Sequence, residues 1–205
     1  EGADMMKRAA VVGMAATALI LSACNQGGGS GAAATQGDMA MGAAEGAKVT
    51  VVEYASTTCA GCAAWNETVW PDFKAKYVDN NKVRFVFREF PTPPQDVAVA
   101  GFLIARCAGD DKYFEVVDHL MRAQTEMRNG VPPREILLRT AQAAGLSEAQ
   151  FQECATDKAA VAALEQRIKQ ASAAGVTGTP TFMVNGQIVT DNSLSGLSAS
   201  IDPLL

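Results

Sequence analysis

Histidine is nearly missing from this sequence, whose 205 residues hold one, His119. A zinc site of mixed Cys and His ligands therefore has no imidazole close in sequence to a cysteine pair. Basic residues are also few, 17 Lys and Arg against 22 Asp and Glu for a net charge of −5, and they form no dense stripe. That excludes nucleic acid as a partner, because phosphate contacts need clustered positive charge. No internal repeat recurs at a useful period, which removes solenoids and propellers. Long apolar runs are lacking too: the stretch from Ala9 to Ala23 is too short to span a bilayer comfortably as a stable anchor.

What that stretch does have is the layout of an export signal, with Lys7-Arg8 ahead of it. It closes on Leu21-Ser22-Ala23-Cys24, which resembles the bacterial lipobox, where the cysteine is lipidated and becomes the first residue of the mature protein. The expectation is a signal segment over 1–23 cleaved before Cys24, and a membrane attachment through a lipid on Cys24. An ordinary signal cut after Ala23, or a buried helix, are the competing readings. Asn25 stands where an Asp would favour inner-membrane retention, which leaves outer-membrane sorting open. Glu1 to Asp4, ahead of Met5, is not signal-like and belongs to no expected element of the fold.

Residues 24–47 are rich in Gly, Ala, Ser and Thr with almost no large apolar side chain, so they bury too little surface to offset ordering entropy. They are expected to be a flexible linker, with Met39 and Met41 incidental in it. The remainder, 48–205, suits one compact domain.

In that domain Val49 to Tyr54 is an apolar, β-branched run suited to a buried strand. Cys59-Ala60-Gly61-Cys62 follows, leading into a helical stretch from Ala63 to Tyr77. Two thiols at this spacing on a helix start can close a small disulfide ring and reopen it with little backbone movement. Free N–H groups and the helix dipole favour thiolate over thiol at Cys59, which makes Cys59 the exposed nucleophile and Cys62 the buried resolving partner. The same spacing also occurs in zinc, iron–sulfur and copper sites, so the surroundings must arbitrate. Val83 to Arg88 alternates as a second strand, completing a βαβ unit. Helical segments are predicted over 95–107, 112–124, 134–144 and 159–173, with Ser147 as the N-cap of one more. Thr181 to Val184 resumes a strand, and Asn185-Gly186 predicts a hairpin to Gln187–Thr190. Ser193 to Leu205 reads as a last helix, interrupted near Pro203.

Strand, Cys-X-X-Cys, helix, strand, helical insertion, then Thr179-Pro180 before a hairpin is an order that resembles the DsbA family of thiol–disulfide oxidoreductases. The resemblance runs from about Lys48 to the C-terminus. It implies an α/β thioredoxin fold with an inserted α-helical subdomain at about 95–175. It also implies that Pro180 is cis and packs against the Cys59–Cys62 disulfide, with Thr179 beside it as a substrate-binding backbone. Glu53 matches the acid buried under the active site in this superfamily, with a role in moving protons for Cys62; a strand-edge Glu in water is the alternative. The departure is Ala60-Gly61, where strongly oxidising members carry Pro-His, so the poise must come from backbone donors and nearby charge. Cys107 and Cys154 are left over in the insertion, and in an exported chain such a pair is expected to form a structural disulfide.

The function so implied is introduction of disulfides into exported proteins in the cell envelope, at the periplasmic side, by dithiol–disulfide exchange at Cys59 and Cys62. Its partners are reduced exported proteins and a membrane redox partner; no cofactor is needed. A reductase or isomerase with the same site kept reduced is the alternative. Isomerases of this superfamily carry an N-terminal dimerisation domain, for which 24–47 is too short and bland, and the protein is expected to be a monomer. A copper- or zinc-binding lipoprotein is a further alternative, opposed by Thr57 standing where ferredoxin-like copper carriers place a Met.

Overall fold

A computed structural model describes residues 34–205. The signal segment 1–23, Cys24 and the linker up to residue 33 lie outside the described residues. Five strands form one mixed sheet in the order β1-β3-β2-β4-β5. At its centre β2 (Thr50–Ala55) is buried along its whole length, as its apolar, β-branched sequence requires. It runs parallel to β3 (Arg84–Glu89), with Thr50 opposite Arg84 and Ala55 opposite Glu89. On its other side it pairs antiparallel with β4 (Thr181–Val184), and β5 (Gln187–Val189) closes that edge. The β4–β5 turn has positive φ at both Asn185 and Gly186, the geometry that selects Asn-Gly in two-residue hairpins. Asn185 also clamps the start of β2, accepting from the Thr50 N–H at 2.8 Å and donating to the Lys48 carbonyl at 3.1 Å.

The crossover between β2 and β3 is α1 (Ala60–Thr68), α2 (Trp70–Phe73) and a π turn over Lys74–Val78. The single helix expected over 63–77 is thus broken at Val69, next to Pro71, which cannot supply an interior backbone donor. The insertion holds α3 (Gln95–Cys107), α4 (Tyr113–Arg128), α5 (Pro133–Ala143), α6 (Glu148–Ala155) and α7 (Lys158–Ala173). Ser147 caps α6 in a reciprocal box with Gln150. A final helix, α8 (Leu194–Ile201), ends in a 3-10 turn at Asp202–Leu204.

One expectation is corrected. The stretch expected to be linker through Ala47 contains β1 (Met39–Gly42), paired antiparallel with β3, Met39 opposite Phe87. Its backbone is satisfied by the β3 edge, and Met39 is buried against the core. Just before it, Asp38 takes two hydrogen bonds of 2.8 Å from Arg88. The ladder and this fork hold a segment that composition alone marks as loose.

Alternation along β2 splits the core. Val51 and Ala55 face a large cluster with Cys62, Trp65 and most of the insertion, whereas Val52 and Tyr54 face a smaller one with Ala171 and Val176. Glu53 follows Val51 and Ala55 onto the cysteine side.

Candidate active site

β2 ends at Ala55, and the chain turns through Ser56, Thr57 and Thr58 to deliver Cys59 as the N-cap of α1. That position has extended backbone, and its side chain takes a hydrogen bond from the Cys62 N–H at 3.1 Å. A cap normally uses an oxygen for this purpose. Here a sulfur occupies the cap, so a backbone donor already bears on the atom that would carry negative charge after reduction. Cys59 and Cys62 are joined as a disulfide, with Cα atoms 5.2 Å apart. Cys59 is partly exposed, and Cys62 has no exposed surface.

The turn before Cys59 is fixed on three sides. Thr58 Oγ1 donates to the Thr92 carbonyl at 2.7 Å, and Ser56 Oγ accepts from the Thr92 N–H at 3.0 Å. From α4, the Gln124 amide donates to the carbonyls of Thr57 and Cys59 at 2.8 and 3.1 Å. Gly101 on α3 makes this approach feasible, since a Cβ there would lie 3.0 Å from Leu120 Cδ1 and 3.1 Å from Thr57 Oγ1.

Across the cysteines stands the Thr179-Pro180 segment, with a cis peptide bond between the two residues. Cys59 Sγ lies 3.5 Å from the Thr179 carbonyl oxygen. Thr179 and Pro180, distant in sequence from Cys59, are thus brought to its sulfur.

Glu53 is 4% exposed and has no hydrogen-bond or ion-pair partner among the described residues. Burial pushes its carboxyl from 4.5 up to about 8, because the charged form loses its water. Its side chain lines a cavity of about 220 Å³ together with Asn66, one turn beyond Cys62 on α1, and with Lys74 and Asp118. The strand-edge alternative for Glu53 does not hold, since β2 is central and buried. Cys107 and Cys154 are joined across α3 and α6, with Cα atoms 6.0 Å apart. His119 sits half-buried on α4. Among the described residues no group of three or more His, Cys, Asp or Glu side chains is placed to hold a metal ion. No described helix is long and apolar enough to cross a membrane.

Two features escaped sequence reasoning. Gln124 was hidden by its helix, although a glutamine one turn from Leu120, on the inward face of an amphipathic stretch, signals a buried amide that needs partners. Glu89, at the end of β3, is fully buried and accepts from Arg106, Arg167 and Tyr113. Nothing local in the sequence joins those residues.

A family model described as thioredoxin matches residues 34–203. A protein of Rickettsia prowazekii provisionally named a protein-disulfide oxidoreductase is 32% identical over 170 residues, which are 82% of this chain and 61% of that protein. A Rickettsia bellii protein with the same provisional name is 33% identical over 169 residues, 82% of this chain and 64% of that one. The chain therefore spans less than two thirds of the length of these relatives. Among solved structures, Wolbachia pipientis alpha-DsbA1 superposes with a TM-score of 0.71 at 24% identity, covering 83% of this chain and 92% of its own. Oxidised BdbD from Bacillus subtilis superposes at 0.72 with 19% identity, covering 85% and 96%. At those identities the likeness concerns the fold.

Proposed function

The chain belongs to the thioredoxin family, and from that membership we propose that it is a DsbA-like thiol–disulfide oxidoreductase that donates the Cys59–Cys62 disulfide to reduced exported proteins. The observation that carries the proposal is the cap geometry: a partly exposed Cys59 sulfur under the Cys62 N–H, paired with a wholly buried Cys62.

A substrate thiolate attacks Cys59 Sγ; the Cys59–Cys62 bond breaks and its electron pair leaves on Cys62, which takes up a proton. A second substrate thiolate then attacks the substrate sulfur of the mixed disulfide, closing the substrate disulfide and releasing Cys59 as thiolate. The substrate loses two electrons and its two thiol protons, one balanced by the proton on Cys62 and the other passing to water, and the enzyme is left reduced, with Cys62 as thiol and Cys59 as thiolate. A membrane partner carrying its own disulfide would reoxidise it.

The residues fit these steps. A carboxyl that titrates near 8 is protonated at neutral pH, so Glu53 can supply the proton Cys62 needs, with its cavity as the route for replenishing it. The Thr179 and Pro180 backbone offers an extended substrate segment a strand to lie beside, next to the sulfur. The lipobox ending at Cys24 supports an envelope location with a lipid tether, and Cys107–Cys154 suits an oxidising compartment. The absence of an imidazole at Gly61 favours, as a second reading, a reductase kept in the dithiol form.

Catalysed oxidative refolding of a reduced, unfolded protein tests the reading. The oxidised protein should accelerate disulfide formation, Cys59→Ser should abolish the effect, and Cys62→Ser, which has no disulfide to donate, should abolish it too. Refolding unaffected by Cys59→Ser would overturn it.

A further inference from the structure

Gln124 reaches out of the inserted subdomain into the redox loop. Its residue is 4% exposed, and its nitrogen donates to two carbonyls, those of Thr57 and Cys59, that flank Thr58. With oxygens on both sides, the amide nitrogen and not its oxygen must face the loop. The Cys59 carbonyl also accepts the first backbone hydrogen bond of α1, from Ala63 at 3.0 Å. Among the described residues the Thr57 carbonyl has no other donor, so this buried acceptor depends on Gln124.

The Gln124 amide donates to both carbonyls and offsets their negative ends, while the Cys62 N–H stays aimed at Cys59 Sγ. Both effects favour a thiolate at Cys59. A thiolate exists only in the reduced enzyme, so whatever favours it also makes the disulfide easier to reduce.

We propose that Gln124 is a positioning residue for the exchange reaction: by donating to the Thr57 and Cys59 carbonyls and offsetting their negative charge in the redox loop, it lets the inserted subdomain set how readily Cys59 ionises and how oxidising the pair is. This rests on the Cys59–Cys62 pair being redox-active, as proposed above. It supplies a source of poise in a site that has Gly61 instead of an imidazole beside its cysteines.

The test is Gln124→Met, which keeps the volume and removes both donors, with Gln124→Glu as a second variant that replaces them with acceptors. Two readouts are taken: equilibrium of the Cys59–Cys62 pair with glutathione, and ultraviolet titration of the Cys59 thiolate. The equilibrium should move at least about fivefold toward the disulfide, equivalent to about 20 mV for a two-electron couple, and Cys59 should ionise at higher pH. Leu164→Ala, on α7, which packs on α3 and β3, should lower stability and leave both readouts unchanged. Either folded variant matching wild type within twofold in both readouts overturns the proposal. In the unmodified protein, the two Gln124 amide protons should shift in nuclear magnetic resonance as Cys59 ionises; constant shifts overturn it without any variant. If wild-type protein fails to equilibrate with glutathione at all, the oxidoreductase reading fails instead.

Discussion

Gly61 faces Pro180 so closely that the first carbon of a side chain there would lie 3.3 Å from Pro180 Cδ. The residue between the cysteines and the proline across from them therefore share one narrow space. That space borders Cys59 Sγ, only 3.9 Å from the same point.

Gly61→Ala should consequently act on large substrates more than on small ones. An added methyl must push Pro180 by a few tenths of an ångström, disturbing the strand a protein segment lies beside while leaving the sulfur open to a small thiol. Rapid-mixing measurements should show exchange with a reduced unfolded protein slowed several-fold and exchange with glutathione nearly unchanged. Equal slowing of both would mean that the contact acts on the sulfur itself.

Glu53 ties function to a stability cost with a definite sign. Its carboxyl titrates at 4.5 ordinarily and about 8 in the fold, so between those values the folded chain holds a proton that the unfolded chain releases. Stability therefore falls as pH rises through that window and is unaffected by this group below it. At pH 7 the cost is 2.5 pH units times 1.36, on the order of 3 kcal/mol. Glu53→Gln should be more stable than wild type by that order at pH 7, with a gap that narrows toward pH 5, and should form mixed disulfides with substrate more slowly, since Glu53 supplies the proton that Cys62 takes up in that step. Urea unfolding across pH checks the first part; a gap independent of pH would contradict it.

Glu89 holds the sheet to the insertion. Its carboxylate, with no exposed side-chain surface, takes Arg106 at 2.5 and 3.1 Å, Arg167 at 2.7 Å and the Tyr113 hydroxyl at 3.1 Å. Arg106 reaches on to the Gly37 carbonyl, just ahead of β1. Glu89→Ala leaves two largely buried guanidiniums without their anion, and should cost about 3–5 kcal/mol. Denaturant unfolding measures it, and a loss under about 1 kcal/mol would show that the cluster relaxes into water.

Elements with a strong local signal were legible in the sequence. The strand at Thr181–Val184 and the helix at Gln95–Cys107 have the bounds expected of them, because turn chemistry and proline mark their ends. The redox loop was legible because Cys-X-X-Cys and Thr-Pro name themselves. β1 was not, since an edge strand held by its neighbour's backbone and by Asp38 with Arg88 needs little from its own side chains. Glu89 and Gln124 were not, since their partners are far along the chain and meet only when α3, α4 and α7 pack on the sheet. Glu53 lay between: its expense in a buried strand was visible, whereas the cavity beside it was not.

The reduction potential of the Cys59–Cys62 couple, equilibrated against glutathione, tests disulfide donation most directly. A donor to exported proteins should lie at or above about −180 mV, in the range of protein disulfide isomerase and stronger oxidants. A value near about −270 mV, that of thioredoxin, would contradict donation and make the pair a reductant.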